Sequence, residues 1–168
     1  MKNLVVVIAF LMASTVSFAQ GAFDKFEDKE GVASVVVNKK MFEMMSKVKV
    51  DAKDKETQQY MNLLKKLDNL KVFTTSNTKI SSDMKATVNS YLKSNPLEEL
   101  MRVNGDGKNV KIYVKSGANE NIVRELLMFI EGSNMKDAGT VVLSLTGNFS
   151  LDEISMLTEK MNLPGGDD

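Results

Sequence analysis

The chain has 168 residues and contains neither cysteine nor histidine. Without cysteine there is no disulfide, no thiol nucleophile and no residue to carry the acyl chains of a lipoprotein, so no lipid anchor is expected. Without histidine, Ser-His-Asp and Cys-His nucleophile systems are excluded, together with imidazole bases and the usual zinc, haem and iron–sulfur ligand sets. An excess of charge of one sign is also missing: 22 basic residues face 22 acidic ones, scattered among one another. That balance gives no field for nucleic acid or an anionic membrane surface. What remains is carboxylate, lysine, tyrosine or serine chemistry, and no cofactor is expected.

Long apolar runs are absent too. The longest candidate, Leu4 to Met12, has nine residues, against about 20 for a membrane-spanning helix. Lys2 precedes it, and Ser17 and Ala19 stand at the −3 and −1 positions of a signal-peptidase site. Residues 1–19 therefore read as a cleaved secretory signal, with the mature chain starting at Gln20. The expected location is periplasmic or extracellular, soluble after cleavage. Residues 20–168 are long enough to bury about two-thirds of their unfolded surface as a single domain.

Along that domain, "GAFDKFEDKEG" reads as a short amphipathic turn with Phe23 and Phe26 on one side, and "VASVVVN" as a strand buried on both faces. "DKETQQYMNLLKKLDN" has helical spacing through Tyr60, Leu64 and Leu67. "LKVFTTS" alternates as a strand, completing a strand–helix–strand opening. A further helix carries Ile80, Met84, Val88 and Tyr91 on one face until Pro96 stops it. "NGDGK" marks a hairpin, after which Val110, Ile112 and Val114 oppose Lys111, Tyr113 and Lys115. Residues 121–131 fit helix or strand by spacing, and the flanking strands with Gly132 favour strand. "GTVVLSLTG" is a last strand. Ser150 and Glu153 form a capping box for a closing helix striped by Leu151, Ile154, Leu157 and Met161, and "LPGGDD" follows as a flexible acidic tail. The expectation is an α+β domain: a mostly antiparallel sheet of about six strands with helices packed on one face.

"GVASVVVNKKMFEMM", "LKVFTTS", "VKIYVKS", "IVRELLMFIEG" and "VVLSLTGNFSLDEISMLT" occur in an order and character that resemble the family called domain of unknown function 4252. The resemblance spans nearly all of residues 20–168 and rests on hydrophobic patterns rather than catalytic signatures. It implies a small exported bacterial envelope protein, often a lipoprotein, with no known enzymatic activity and with a tendency to accompany envelope-signalling regulators. It transfers no functional residues. This chain departs from the lipid-anchored members in having no cysteine after its signal.

Ser-x-x-Lys spacing, one helical turn between nucleophile and amine, occurs at Ser46/Lys49, Ser76/Lys79, Ser82/Lys85, Ser90/Lys93 and Ser133/Lys136. Five matches without Ser-Asp-Asn or Lys-Thr-Gly partners select none of them. Asp24, Glu27, Asp28 and Glu30 interleave with Lys25 and Lys29, the pattern of a solvated face rather than a catalytic acid pair. "NGDGKN" has Lys115 where a calcium loop needs its twelfth-position glutamate. Met41, Met44 and Met45 share a helix face. Thioethers select Cu(I), but seven further methionines are spread over the other elements, so adaptable core filling is the favoured reading and an exposed docking surface the second. The sequence thus points to a non-enzymatic exported envelope module that binds a protein partner, with no metal site and no catalytic residue. Its interaction surface is expected at Lys111, Tyr113 and Lys115 or at Met41, Met44 and Met45. The alternative is a carrier of a small apolar ligand or lipid between sheet and helices.

Overall fold

The computed structural model describes residues 21–48, 54–105, 107–132 and 139–154. The signal segment, the acidic tail, Ser133/Lys136, Lys49 and the closing helix beyond residue 154 lie outside them. Six strands form one antiparallel sheet: β1 (Ala33–Asn38), β2 (Leu67–Thr75), β3 (Glu98–Gly105), β4 (Lys108–Ser116), β5 (Ile122–Gly132) and β6 (Thr140–Ser150), in the order β1-β2-β6-β5-β4-β3. Helices α1 (Lys39–Met45) and α2 (Lys55–Leu64) connect β1 to β2, and α3 (Thr78–Ser94) connects β2 to β3. A single 3-10 turn, Asp24–Phe26, precedes β1. The α+β class and the six-stranded antiparallel sheet are as expected, and residues 122–132 are a strand.

Local chemistry sets the boundaries. Asn38, Asp54 and Asn77 are N-caps whose side-chain oxygens accept from the first free amides of α1, α2 and α3. Asn95, before Pro96, is extended and ends α3. Gly107 takes a positive φ of 74° in the turn between β3 and β4, where Gly105 faces Lys108. At Gly147, an added Cβ would meet the Lys66 carbonyl oxygen at 2.4 Å, so β6 can pass beneath the α2–β2 turn only with glycine there. The Ser150 amide donates to the Glu153 carboxylate at 2.8 Å, the carboxylate half of the capping box, and residues 151–154 are helical.

The central strands are buried on both faces, so the sheet carries two cores. On one face Leu126, Met128 and Ile130 of β5 join Leu143 and Leu145 of β6 beneath Phe42 of α1 and Leu63 and Leu64 of α2. On the other, Leu127 and Phe129 join Phe73 and Val142 beneath Ile80, Met84, Val88 and Tyr91 of α3, with Phe23 and Phe26 of the N-terminal turn. The helices therefore divide between two faces, where the sequence pattern placed them on one. Reading β5 for a single alternating face, Leu126-Met128-Ile130, hid the second.

β1 differs from expectation in the opposite sense. Its valine run reads as doubly buried, yet among the described residues it is an edge strand with β2 as its only neighbour, and Val35 and Val36 are 54% and 45% exposed. β-branched residues suit a central strand and an edge strand equally in backbone terms, so only topology separates the two.

The two-core arrangement makes a direct claim about stability. Phe73 is fully buried and touches Phe26, with ring centroids 5.9 Å apart. Phe73→Ala should cost about 3–5 kcal/mol, whereas Met44→Ala should stay within about 0.5 kcal/mol of wild type, as read by urea unfolding.

Candidate functional site

Of the residues singled out in the sequence, Met41, Met44 and Met45 are 50%, 59% and 37% exposed, whereas Phe42 between them is 3% exposed. This corrects the core-filling reading for these three. α1 has only seven residues and lies over the last strand of the sheet. One side chain reaches the core, and among the described residues no further strand lies beyond β1 to receive the rest. Methionine does fill the core elsewhere: Met84 and Met128 are buried.

Lys111, Tyr113 and Lys115 do not form an open polar face. Tyr113 packs against the α3-side core and Lys111 is half-buried, leaving only Lys115 exposed. Burial, then the neighbouring Glu99 carboxylate, pushes the Tyr113 phenol above its ordinary range.

Two of the four acids of the N-terminal cluster, Asp24 and Glu27, are held in structural ion pairs. Both pair with Lys71 of β2, and Lys25 and Lys29 both pair with Asp83 of α3, at 2.8 and 3.0 Å. These bridges tie the N-terminal turn to sheet and helix. Burial alone would depress the Lys71 ammonium, but its two carboxylate partners outweigh that and raise it. The paired lysines hold the Asp83 carboxyl below its usual range. Lys85, one of the Ser-x-x-Lys amines, pairs with Glu131, while the Ser82 hydroxyl donates to the Thr78 carbonyl. No serine–lysine contact results there. Among the described residues, no group of three or more acids gathers as a metal site.

The structure assembles a feature that the sequence did not suggest. On the α3 side, the sheet face turns from apolar to polar at one level across several strands. Register places Asn38, Asn69, Thr146, Glu125 and Lys115 side by side on β1, β2, β6, β5 and β4. All but Asn38 line a cleft of about 270 Å³, together with Asp68, Lys71, Tyr91, Arg124, Ser144 and Gly147. Two β-bulges make this lining. Register shifts between Leu67 and Asn69 and between Val123 and Glu125 turn the consecutive pairs Asp68–Asn69 and Arg124–Glu125 into the same cleft, which strict alternation forbids.

Glu125 is the buried acid of this cleft. The Tyr91 hydroxyl donates to its Oε1 at 2.5 Å. Burial raises the Glu125 carboxyl above its ordinary range, and Tyr91 and Lys115 offset this only in part. Burial, then the same carboxylate, pushes the Tyr91 phenol far upward. The contact thus eases ionisation of Glu125 while making ionisation of Tyr91 costlier. The lone sequence signal was Glu125 itself, a charge in an apolar run.

Among the described residues, the six-stranded sheet is open, with β1 and β3 at its edges and a core on each face, which defines an α+β protein rather than a closed barrel. The chain belongs to the family described as domain of unknown function (DUF4252), whose model matches residues 26–157. No curated protein and no solved structure matches it. Among the described residues, no helix is long and apolar enough to cross a membrane.

The raised Glu125 carboxyl gives stability a definite pH dependence. Between the ordinary glutamate range and the raised one, the folded chain holds a proton that the unfolded chain has released. Stability therefore falls as pH rises through that window and then levels. Glu125→Gln keeps an acceptor for Tyr91 but cannot ionise. Its stability relative to wild type should rise as pH climbs above the ordinary glutamate range in urea titrations; an unchanging difference would contradict the burial argument.

Proposed function

We propose that this chain is an exported envelope protein that binds a partner protein by accepting an extended segment of it along the free edge of β1. The observation that carries the reading is the contrast between the two edges of the sheet. β3, at one edge, carries Glu98, Glu99 and Arg102, the last two joined by an ion pair, and is bulged between Glu99 and Met101. Charges and bulges are how edge strands are kept from pairing. β1, "ASVVVN", has no charge, no proline and no bulge. Its outward N–H and C=O groups form a template for strand addition.

The methionines extend that edge. Met41, Met44 and Met45 leave α1 beside it, with Val48 also exposed. Flexible thioethers adapt to partner side chains at low cost. Lys40 and Lys47 rim the patch, whereas Lys39 is occupied by Asp68. The partner segment therefore alternates apolar side chains along β1 and is acidic where it passes α1. A second copy of this chain fits less well, because two-fold pairing of β1 strands puts the two methionine patches at opposite ends and covers neither. Support for export comes from the signal pattern of residues 1–19. The apolar-carrier alternative draws no support from the cleft described above or from a second one lined by Gln59, Asn62, Lys65, Lys66, Asp152 and Glu153, since polar and charged residues predominate in the lining of both.

Two measurements test this reading. Mass spectrometry of the chain purified from its own host should show an N-terminus at Gln20, and an intact Met1 would count against export. A photo-crosslinking residue at position 36, in the native host, should join the chain to an apolar, acid-flanked segment of another protein. Met41→Ser, Met44→Ser and Met45→Ser together should reduce that adduct about tenfold while each costs at most about 0.5 kcal/mol of stability. An adduct only with a second copy, or one indifferent to the three serines, would overturn the proposal.

A further inference from the structure

We infer that the polar cleft beside α3 is a binding site for a small hydroxylated carboxylate, separate from the β1 edge and independent of partner docking. The inference starts from charge. Of the cleft's ionic groups, Lys71 is neutralised by Asp24 and Glu27, and Asp68 is paired with Lys39. Lys115 and Arg124 make no ion pair among the described residues and both are exposed at the cleft. Two cations thus stand beside one buried carboxyl, Glu125, whose Oε1 is occupied by Tyr91. Lys115 and Arg124 are therefore the cations of the cleft left free to meet an anion.

Shape and hydrogen bonding narrow the ligand. Arg124 offers the planar fork that suits a carboxylate, and Lys115 a second charge on the neighbouring strand. Thr146 stands between Asn69 and Glu125 in the cross-strand row, and its Oγ1 is buried without a hydrogen-bond partner. Orphaned buried hydroxyls are uncommon in folded proteins and point to a missing partner. Asn69 and Ser144 add a side-chain amide and a hydroxyl to the floor. These groups fit a ligand with hydroxyls as well as a negative charge. The volume, about 270 Å³, lies just below the pockets of about 300 Å³ and more that take drug-sized molecules, so the ligand is metabolite-sized. A carboxylate suits the site better than a phosphate dianion, whose denser charge would have to approach the Glu125 carboxyl.

The bulge at Val123–Glu125 makes the site. Without it, Arg124 would fall on the opposite face from Glu125, among the apolar neighbours of Val123 and Leu126. Placing a cation and a buried acid next to one another costs the sheet a regular ladder at its centre, and a ligand site is a reason for that irregularity.

The probe is malate, a dicarboxylate with one hydroxyl, titrated into the full mature chain and followed by amide chemical shifts, with sulfate and glycerol as controls. Saturable malate shifts at Lys115, Arg124, Glu125 and Thr146, absent with glycerol and weaker with sulfate, are expected. Arg124→Gln and Lys115→Gln should each weaken binding about tenfold with the melting temperature unchanged, because both side chains are exposed. Thr146→Val should weaken binding without loss of stability. No saturable shift in the millimolar range, or shifts that sulfate reproduces equally, would overturn the inference. Because the readout is in the cleft, failure here leaves the β1 proposal standing, and failure of that proposal leaves this one.

Discussion

Burial of β5 and β6 on both faces is the constraint from which the rest of this structure follows. Residues 126–130 of β5 are buried without interruption, so each face of the sheet centre must be roofed by something. Two roofs cover it, with α1 and α2 on one side and α3 and the N-terminal turn on the other. Neither roof is large. α3 covers the level of Phe73, Val142 and Phe129 and reaches Glu125 only through Tyr91. Beyond that level the strand residues become polar together, and the cleft is the uncovered remainder of the face.

The same limit explains the edge. Helix α1 must lie over the outermost strands because it follows β1 directly, and it contributes a single side chain, Phe42, to the core. Its other apolar residues, Met41, Met44 and Met45, are exposed. An apolar edge with an apolar helix beside it is then the natural place for a partner. The opposite edge, β3, is no less exposed but is guarded by charge. The ion pairs at the other end of the sheet act as fasteners. Lys71 and Asp83 each hold two partners and pin the N-terminal turn across β2 and α3, keeping Phe23 and Phe26 over the core.

Much of this fold was legible in the sequence. The face of α3, its stop at Pro96, the β3–β4 hairpin, the carboxylate half of the capping box and the strand at residues 122–132 all rest on local rules that the structure obeys. What was not legible depends on which strands become neighbours. Valine at positions 35–37 reads as central or edge until the strand order is known. Met41, Met44 and Met45 read as buried because helical spacing states which residues share a face but not what that face meets. The cleft was least visible of all. Asn69, Thr146, Glu125 and Lys115 come from four separate segments, and only register and two bulges set them in a row. Lys111, Tyr113 and Lys115 were grouped by alternation, which placed them on one face correctly but could not show that a helix shields part of it.

Amide hydrogen exchange on the isolated mature chain tests the central claim, a doubly buried sheet centre with an unguarded β1 edge, most directly. The amides of β5 and β6 should exchange only through global unfolding. Alternate amides of β1, those not bonded to β2, should exchange far faster than the rest of the sheet. Protection of every β1 amide to the level of β5 would mean that this edge is already covered, and would contradict the account.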